Sequence, residues 1–472
     1  MRITVVGCGY LGATHAACMA ELGHMVLGVD IAQDTIHHLA RGIAPFYEPG
    51  LDSLLLRHTK SGRLSLSTSY QEAADFGDVH FLTVGTPQQQ DGGSYDLTQV
   101  FDAAAKLAVH IDRPATIVGK STVPVGTASK LAQLVSALAP ARDAVEVAWN
   151  PEFLRESSAV HDTLDPDRIV IGCEPGSVSE SRLREVYRDI LATGTPLVIT
   201  NPQTAELTKC AANSFLAMKI SFINALSEIC ESAGADVLHL ADALSFDKRI
   251  GGAGMRPGIG FGGGCLPKDI RGFMESAHRL GVGGALKFLA CVDEINQRCR
   301  ERMVTLTRKV CGGSVAGRRI TVWGASFKPG TDDVRDSPAL AVAATLFDEG
   351  ANVRVHDPRA VDKAQSEVPQ LSYFGDPVSA ARGADVILHL TDWEEYASLR
   401  PETLTPVVKQ CHIVDGRGSL NEALWNSAGW QYWSLGRPAL NSPSPILEDG
   451  ATGTQMSETV PPLLTPTIPG LA

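Results

Sequence analysis

The chain has 472 residues, enough for about three domains, and 44% of them are hydrophobic, as in an ordinary globular protein. Its formal net charge of −12 argues against a protein that binds nucleic acid or an anionic membrane. The ten cysteines show no CxxC pair and no metal-ligand spacing, so we expect reduced intracellular thiols and no metal site. Because no apolar run is long enough to span a membrane and no signal peptide precedes the first strand, we expect a cytoplasmic protein.

Apolar, strand-like runs alternate with helical patterns from the first residue, which predicts βαβ units and a parallel sheet. The first helix is predicted near Leu11–Leu22, because Gly23 then ends the helical pattern. The predicted strands of this first block are Ile3–Val6, Val26–Val29, Val79–Val84, Thr116–Val118, Val145–Ala148 and Ile169–Ile171.

A long helix is predicted next, from about Thr204 to Ala233, in a stretch without Pro. Further helix is expected after the glycine-rich segment Gly258–Gly264, up to about Val310. A second α/β block follows, with a helix that starts at Ser337-Pro338 and with strands at Val353–His356 and Val386–Leu390.

The predicted organisation is therefore α/β, helical, then α/β again. We place an α/β domain at 1–200, a central helical domain at 201–312 and a second α/β domain at 313–437. The remaining residues, 438–472, are rich in Pro, Ser and Thr and lack periodicity, so they are predicted to be disordered.

A GxGxxG motif, Gly7 to Gly12, lies between the first predicted strand and the first predicted helix. Gly7 would permit the tight turn, Gly9 the approach of a pyrophosphate, and Gly12 close helix–strand packing. Asp30 ends the next predicted strand, where a carboxylate accepts hydrogen bonds from ribose hydroxyls and repels a 2′-phosphate. The motif therefore predicts a Rossmann-type domain that binds NAD rather than NADP.

Two further loops follow predicted strand ends, where ligands bind in open α/β sheets. They contain Thr86-Pro87 and Ser121-Thr122, whose small hydroxyl groups suit contact with a ribose or a nicotinamide. Each loop, taken alone, is also compatible with a plain turn.

The segment Gly258–Asp269 combines a glycine-rich loop with a candidate nucleophile. Its five glycines in seven residues would let a substrate approach closely, and Pro267 fits the first position of a helix. Cys265 then lies just ahead of a helix N-terminus with Lys268 nearby, which favours a thiolate and hence a nucleophile. The alternative is a small residue in a tight turn.

Polar groups with possible roles also occur on the long helix and after a strand. Lys209 and Asn213, four residues apart, share one helix face among apolar neighbours; in isolation such a pair would more commonly be solvated. The segment Asn150–Glu156 follows a predicted strand, and a partly desolvated carboxylate there, such as Glu152, could act as a general base.

Together these segments resemble the UDP-glucose/GDP-mannose dehydrogenase family, and in particular its UDP-glucose 6-dehydrogenases. The resemblance runs in order over about residues 1–437, and 150–172 is more similar to the UDP-glucose enzymes than to relatives that act on other nucleotide sugars. The motifs that carry it are Gly7–Gly12, Asn150–Glu156, Glu206–Lys209 through Asn213, Gly260–Asp269, and Ser326–Lys328 through Arg335.

The resemblance implies a fold and a reaction. The fold would be an N-terminal NAD-binding Rossmann-type domain, a central helical connector and a C-terminal Rossmann-like domain that binds UDP. The reaction would be the four-electron oxidation of UDP-glucose to UDP-glucuronate with two NAD⁺, through a thiohemiacetal and a thioester on Cys265. The central helix would form a homodimer.

The resemblance also implies roles for individual residues. The implied catalytic residues are Cys265, Lys209, Asn213, Glu152, Asp269 and Thr122. The implied cofactor contacts are Gly7, Gly9, Tyr10, Leu11, Gly12, Asp30, Thr86, Pro87, Ser121, Thr122, Glu156 and Arg335. The implied substrate contacts are Glu152, Phe153, Leu154, Arg155, Glu156, Lys209, Asn213, Arg249 (from a neighbouring subunit), Phe261, Gly262, Lys268, Lys328 and Arg417.

Three alternatives remain open from the sequence. The substrate could be GDP-mannose or a UDP-N-acetylhexosamine, with unchanged chemistry. The protein could be a two-electron hydroxyacid dehydrogenase, although such an enzyme would not need Cys265 or a second nucleotide-type domain. It could also be a catalytically silent NAD-binding regulator, against which the full set of reactive side chains argues.

Overall fold

The computed structural model describes residues 1–89 and 93–437. Its N-terminal part is an eight-stranded sheet in the order β3-β2-β1-β4-β5-β6-β7-β8. The pairings are parallel except that β7 runs antiparallel to β6. The strands are β1 (Arg2–Val6), β2 (Met25–Val29), β3 (Leu64–Ser67), β4 (Val79–Leu82), β5 (Ala115–Gly119), β6 (Val145–Trp149), β7 (Ile169–Gly172) and β8 (Leu197–Thr200).

Helices cover this sheet, and two apolar clusters, centred on Phe81 and on Trp149, fill the layers between them. Both faces of the central strands are buried, as expected when helices cover both sides of a parallel sheet. The helices are α1 (Tyr10–Glu21), α2 (Gln33–Ala40), α3 (Leu51–Ser61), α4 (Tyr70–Phe76), α5 (Thr98–Ala108), α6 (Thr127–Leu138), α7 (Ala159–Leu164), α8 (Val178–Val186) and α9 (Arg188–Ala192).

The central part is helical: α10 (Pro202–Ala233), α11 (Val237–Ser245), α12 (Leu266–Arg279) and α13 (Phe288–Val310). Asn201 caps α10 by accepting a hydrogen bond from the Thr204 N–H, and Gly234 ends the helix with a φ of 71°. This cap starts α10 two residues before the predicted Thr204. The helix expected after the glycine-rich segment is interrupted between α12 and α13, where Gly281 adopts a φ of 77°.

The C-terminal part is a parallel six-stranded sheet in the order β11-β10-β9-β12-β13-β14. Its strands are β9 (Arg319–Trp323), β10 (Asn352–His356), β11 (Ser372–Phe374), β12 (Val386–His389), β13 (His412–Asp415) and β14 (Gln431–Ser434). Its helices are α14 (Pro338–Asp348), α15 (Val361–Glu367), α16 (Pro377–Ala381), α17 (Glu394–Ala397), α18 (Pro401–Leu404) and α19 (Glu422–Ser427).

The fold class predicted from the sequence is confirmed, two parallel-sheet α/β domains with a helical region between them. The predicted strands agree with the structure within two residues at each end, and Ser337 caps α14 as expected. The sequence reasoning missed β3, β8, β11, β13 and β14, each of only three or four residues, and it missed α11. The disorder predicted for 438–472 lies outside the described residues.

Two classes of feature are not found in the part of the chain that the structure describes. None of its helices is long and apolar enough to cross a membrane. No group of three or more His, Cys, Asp or Glu side chains within 1–89 and 93–437 is arranged to hold a metal ion.

Candidate active site

The three glycines of the GxGxxG motif occupy different environments at the start of α1. Gly7 has a φ of +94°, which disfavours any residue with a side chain. A Cβ on Gly12 would collide with the carbonyl oxygen of Gly7, so the helix can approach the turn only with glycine there. A Cβ on Gly9, in contrast, would have no atom within 4 Å, so open space lies beside this residue at the helix N-terminus. This space fits the pyrophosphate of a dinucleotide.

Asp30 directly follows β2, beside this turn. One of its carboxylate oxygens accepts the Cys8 N–H at 2.7 Å and the other accepts the Ala32 N–H at 2.9 Å. Because each oxygen has further lone pairs and the residue is only half-buried, the carboxylate can still accept hydrogen bonds from a ribose. The residues present therefore fit the adenosine half of NAD.

The other predicted cofactor residues surround the same edge of the sheet. Tyr10 and Leu11 form the first turn of α1 and are half-buried. The Thr86 hydroxyl donates to the Thr122 carbonyl at 2.9 Å, and the Ser121 hydroxyl donates to the Val84 carbonyl at 2.6 Å. These bonds tie the loops after β4 and β5 together, with Pro87 exposed at the rim.

A cavity of about 1020 Å³ lies between the N-terminal sheet, α10, the glycine-rich loop and the C-terminal domain. Its size is that of a site for a large small-molecule ligand. Twelve of the predicted site residues line it: Glu152, Phe153, Leu154, Arg155, Glu156, Lys209, Asn213, Phe261, Gly262, Cys265, Lys328 and Arg417.

Cys265 is the N-cap residue of α12, and its side chain opens onto this cavity. The helix begins at Leu266, so Pro267 occupies its second position rather than the predicted first. Because protein surrounds the thiol on most sides, burial raises the pKa of Cys265 to about 11. Lys209 lowers this pKa, whereas the carboxylates of Glu152 and Asp269 raise it.

The prediction of a thiolate at Cys265 is therefore wrong for the free protein. A helix N-terminus and one lysine do not compensate for burial among carboxylates. The cation that acts on Cys265 is Lys209 and not the predicted Lys268. The Lys268 ammonium instead bonds the Asp269 carboxylate at 2.6 Å.

Lys209 and Glu152 form an ion pair in the cavity wall, with Nζ 2.9 Å from Oε1. The other Glu152 oxygen accepts the Leu154 N–H at 2.7 Å. Burial acts to lower the pKa of Lys209, but Glu152 and other anionic groups outweigh it and raise the pKa above its ordinary value. Lys209 is therefore a cation at neutral pH, beside Cys265.

Asn213 lies one turn further along α10, on the same face as Lys209. Its amide nitrogen donates to the Asp269 carboxylate at 2.6 Å, and Asp269 is only 1% exposed. The Tyr95 hydroxyl approaches the same carboxylate at 3.3 Å. The sequence prediction that Lys209 and Asn213 share one functional face agrees with this geometry, but Lys268 and Asp269 lie behind the cavity wall.

Glu156 connects the N-terminal domain to the C-terminal domain. Its carboxylate accepts a hydrogen bond from the Thr331 hydroxyl at 3.1 Å and lies 3.4 Å from the Arg335 guanidinium, and Lys328 donates to its carbonyl. Burial, together with the charge of Asp333, raises the pKa of Glu156 to about 7. Arg335 does not line the cavity and is held mainly by Asp333.

Contacts with the C-terminal domain explain much of the glycine content of the loop. A Cβ on Gly262 would collide with the Asp336 carbonyl, and a Cβ on Gly264 would collide with the Arg335 guanidinium. Arg417 reaches across from the C-terminal domain and donates to the Gly260 carbonyl at 3.3 Å. The expectation that these glycines only make room for a substrate is therefore incomplete.

Arg249 is the one predicted substrate residue that lies far from the cavity. Its side chain is 89% exposed, and it pairs with Asp247 at 2.6 Å. Within one subunit it does not reach the site. Arg155, also exposed, lines the cavity rim and pairs with Asp162 at 2.6 Å.

Comparison with known proteins identifies the family. Three family profiles match the chain in order: the NAD-binding domain at 1–191, the central domain at 203–298 and the UDP-binding domain at 321–422 of the UDP-glucose/GDP-mannose dehydrogenase family. The chain belongs to this family. The predictions of the family and of NAD as cofactor are thereby confirmed, and the chain is an NAD-dependent oxidoreductase.

Curated members of the family are similar over almost their whole length. The UDP-glucose 6-dehydrogenase of Rhizobium meliloti is 38% identical over 440 residues, which cover 93% of this chain and 100% of the relative. The UDP-glucose 6-dehydrogenase YwqF of Bacillus subtilis is 39% identical, with 93% and 98% covered.

Solved structures agree with this assignment. A UDP-glucose dehydrogenase from Pyrobaculum islandicum matches with a TM-score of 0.84 and 36% identity, over 93% of this chain and 98% of that one. A UDP-D-ManNAc dehydrogenase from Pyrococcus horikoshii matches with a TM-score of 0.80 and 27% identity, over 93% and 100%.

The sequence reasoning did not assign two residues that line the cavity, Lys120 and Arg168. The Arg168 guanidinium stacks 3.8 Å above the Phe153 ring. A lysine that directly follows a buried strand was a usable signal for Lys120. The sequence contained no comparable signal for Arg168, because only the tertiary structure brings this residue to Phe153.

Proposed function

We propose that this protein oxidises UDP-glucose to UDP-glucuronate in two successive oxidations, each of which uses one NAD⁺. The observation that carries the proposal is a thiol, Cys265, which opens onto the cavity beside the charged Lys209. The match of a UDP-binding profile to the C-terminal domain supports a UDP-sugar as substrate. Curated UDP-glucose 6-dehydrogenases at 36–39% identity support glucose as its sugar.

NAD⁺, when bound, supplies the hydride acceptor for both oxidations. In the first, the C6 hydroxyl of the sugar loses its proton and C6 loses a hydride, which gives an aldehyde. The Glu152 carboxylate is placed to receive the proton, and the Lys209 ammonium stabilises the developing alkoxide. Asn213, fixed by Asp269, orients the C6 oxygen.

The second oxidation needs the thiol. The Cys265 sulfur adds to the aldehyde carbon, and the thiol proton is transferred to the aldehyde oxygen, which gives a thiohemiacetal. The thiohemiacetal hydroxyl then loses its proton and C6 loses a second hydride, which leaves a thioester. Water adds to the thioester carbon, the C–S bond breaks, and the carboxylate, one proton and the thiol are released. We assign the activation of this water to Glu152, with Asp269 and Thr122 supporting it from outside the cavity lining.

The high pKa of the Cys265 thiol fits this sequence of steps. A thiol that stays protonated in the free protein does not react with passing electrophiles. It becomes nucleophilic when the aldehyde is bound and the aldehyde oxygen can take the thiol proton.

The C-terminal domain and the loop after β6 would hold the rest of the substrate. Arg417 and Lys328 face the cavity and provide cations for the diphosphate. Phe153–Arg155 and the Phe261-Gly262 backbone would flank the sugar and the phosphates. Glu156 and Arg335 would contact the cofactor where the two domains meet.

A homodimer through α10 forms part of the proposal. Phe215, Phe222 and Ile229 lie seven residues apart on this helix and are 58%, 52% and 61% exposed. This apolar stripe would be covered by a second copy of the chain, and Arg249 would then reach the neighbouring cavity. Sedimentation equilibrium would show a dimer; an active monomer would contradict this part.

The test of the function is the number of NADH molecules formed per sugar, across a panel of UDP-glucose, GDP-mannose and UDP-N-acetylhexosamines. We expect two NADH per UDP-glucose and much slower turnover of the other sugars. One NADH per sugar would instead indicate a two-electron dehydrogenase.

The Cys265→Ser variant tests the thiol. Its product formation should fall by several orders of magnitude while UDP-glucose still binds, because a hydroxyl is a weaker nucleophile and its ester hydrolyses less readily than a thioester. The matched control is Cys291→Ser, an exposed cysteine on α13, which should leave turnover unchanged. Near-normal turnover by Cys265→Ser, with two NADH per sugar, would refute the mechanism.

A further inference from the structure

Glu48 is a buried glutamate in the loop between α2 and α3, only 5% exposed, and it does not line the cavity. One of its carboxylate oxygens accepts the Ser157 N–H at 2.8 Å and also the Tyr10 hydroxyl. The other oxygen accepts the Ala159 N–H at 2.7 Å. Burial of a carboxylate is unfavourable unless donors satisfy it. Here the donors come from the first turn of α1 and from the backbone that follows the cavity residues Phe153–Glu156.

Ser157 is the point at which the chain leaves the cavity and turns into α7. Its φ of 70° lies in the left-handed region, which is unfavourable for a residue with a side chain. The C-terminal domain packs closely against it, since a Cβ on Gly330 would lie 2.5 Å from the Ser157 Cβ. Ser157 therefore does not adopt this conformation by its own preference. The Glu48 hydrogen bond holds its N–H in place.

The peptide bond between Glu156 and Ser157 connects Glu48 to a cation of the cavity. In a trans peptide the C=O and the N–H point in opposite directions. Because the Ser157 N–H points to Glu48, the Glu156 carbonyl points away from it, and there it accepts a hydrogen bond from the Lys328 ammonium. Lys328 lines the cavity, and an ammonium group has three donors, so two remain for a ligand.

Glu48 also acts on Lys328 through its charge. Burial lowers the pKa of Lys328, and the carboxylates of Glu156 and Glu48 act against this change. The Lys328 ammonium is thus held by one carbonyl and attracted by two carboxylates, and the carbonyl depends on Glu48 for its direction.

We infer that Glu48 is a positioning residue for the nucleotide-sugar substrate, which fixes the Glu156–Ser157 peptide and thereby places the Lys328 ammonium for the diphosphate. The inference rests on the proposed function, in which Lys328 contacts the diphosphate. Without Glu48 the peptide can rotate, and its carbonyl no longer holds the ammonium in one position. Substrate binding then has to order Lys328, which lowers the affinity.

The test measures the affinity for UDP, which carries the diphosphate but no sugar, by isothermal titration calorimetry. Glu48→Met removes both acceptor oxygens at similar side-chain length, and the isosteric Glu48→Gln keeps one of them. The Kd of UDP should rise about tenfold in Glu48→Met and about threefold in Glu48→Gln, which decides the question even if Glu48→Met does not fold. The Kd of NADH should change no more than twofold, because the Tyr10 ring stays packed against Phe46 at 4.8 Å.

The matched control is Glu146→Met. Glu146 also accepts hydrogen bonds at the start of a helix, from the N–H and the hydroxyl of Ser179 in α8, but it does not line the cavity. We expect a lower Tm in this variant and an unchanged Kd of UDP.

A double variant tests whether Glu48 acts through Lys328. If it does, Glu48→Met combined with Lys328→Met should bind UDP no more weakly than Lys328→Met alone. Multiplied effects would overturn the inference, as would an unchanged Kd of UDP in both Glu48 variants. Equal losses of UDP and NADH affinity would show a structural role and also overturn it. The proposed function is tested separately: one NADH per UDP-glucose in the unmutated protein would contradict that function and leave the UDP affinities as they are.

Discussion

The two α/β domains of this protein have the same strand order, but the aspartate that follows the second strand has different surroundings in each domain. The first six strands of the N-terminal sheet and all six of the C-terminal sheet follow the same order. Each first strand is followed by a glycine of positive φ, Gly7 at +94° and Gly324 at +103°. Each second strand is followed by an aspartate, Asp30 in one domain and Asp357 in the other.

The surroundings of the two aspartates differ. Asp30 accepts two backbone N–H groups and keeps capacity for a ribose. Asp357 is 3% exposed and accepts from six donors, because the turn after β9 closes over it. The six donors are the N–H groups of Ala325, Ser326, Arg359 and Ala360, the Ser326 hydroxyl and the Trp393 indole.

The second position of the turn differs as well. Gly9 has open space beside it, whereas the corresponding residue of the C-terminal domain is Ser326, fully buried. A shared strand order therefore does not give a shared dinucleotide site. The site depends on an acid with free acceptor capacity and on a turn without a side chain.

The largest effect is expected from Asp357→Ala. Removing this carboxylate leaves several buried N–H groups without an acceptor and should lower the free energy of unfolding by about 4 kcal/mol. Urea unfolding, followed by the fluorescence of the buried Trp323 and Trp425, would measure it. The preference for NAD⁺ over NADP⁺ should not change; a changed preference would show that the C-terminal acid takes part in cofactor binding.

Gly9→Ser should come next. It gives the N-terminal turn the serine side chain that the C-terminal domain has at Ser326, and the free protein has room for it. We expect an unchanged Tm without cofactor but an affinity for NADH about 100-fold lower, because the hydroxymethyl group occupies the pyrophosphate position. Fluorescence titration with NADH would measure the affinity. Unchanged affinity would contradict the placement of the cofactor.

The two domains also differ at the end of the fifth strand of each sheet, β5 and β13. Lys120 follows β5, whereas β13 ends in Asp415, which His389 bonds at 2.9 Å. Burial opposes ionisation of Asp415, but the His389 and backbone hydrogen bonds outweigh it and lower its pKa to about 2.

Because that pKa is lowered, Asp415 stabilises the fold above about pH 4, by about 2 kcal/mol, and this contribution is lost as the pH falls towards 2. His389→Gln should shift the acid unfolding midpoint, followed by tryptophan fluorescence, to higher pH. An unshifted midpoint would show that the pair does not stabilise the C-terminal domain.

The smallest effect is expected from Asp30→Ala. Loss of the carboxylate removes both the acceptor for the ribose and the repulsion of a 2′-phosphate, so the ratio of kcat/KM for NAD⁺ to that for NADP⁺ should narrow about tenfold. Initial rates with each cofactor would give this ratio. Equal use of both cofactors by the unmutated protein would refute the role of Asp30.

Sequence patterns predicted most of the fold because its elements are marked locally. Buried strands such as β1 and β4 are short apolar runs, and α10 has a clear start at Asn201-Pro202 and end at Gly234. Strand β3 escaped prediction because its sequence, Leu64–Ser67, is half polar, and its place depends on pairing with β2. The break between α12 and α13 was missed because a single positive-φ glycine ends a helix only when the packing requires it.

By itself, the sequence determined which chemistry the protein carries: the glycine turn with Asp30, the Cys265 segment, and Lys209 and Asn213 on one helix face. These follow from local spacing, which chain geometry fixes. Only the tertiary structure decided how the groups behave. It raised the pKa of Cys265 by burial, placed Lys120 in the cavity wall, and closed the turn over Asp357 while leaving Asp30 open. Burial and long-range charge depend on residues far apart in the chain, so no local pattern records them.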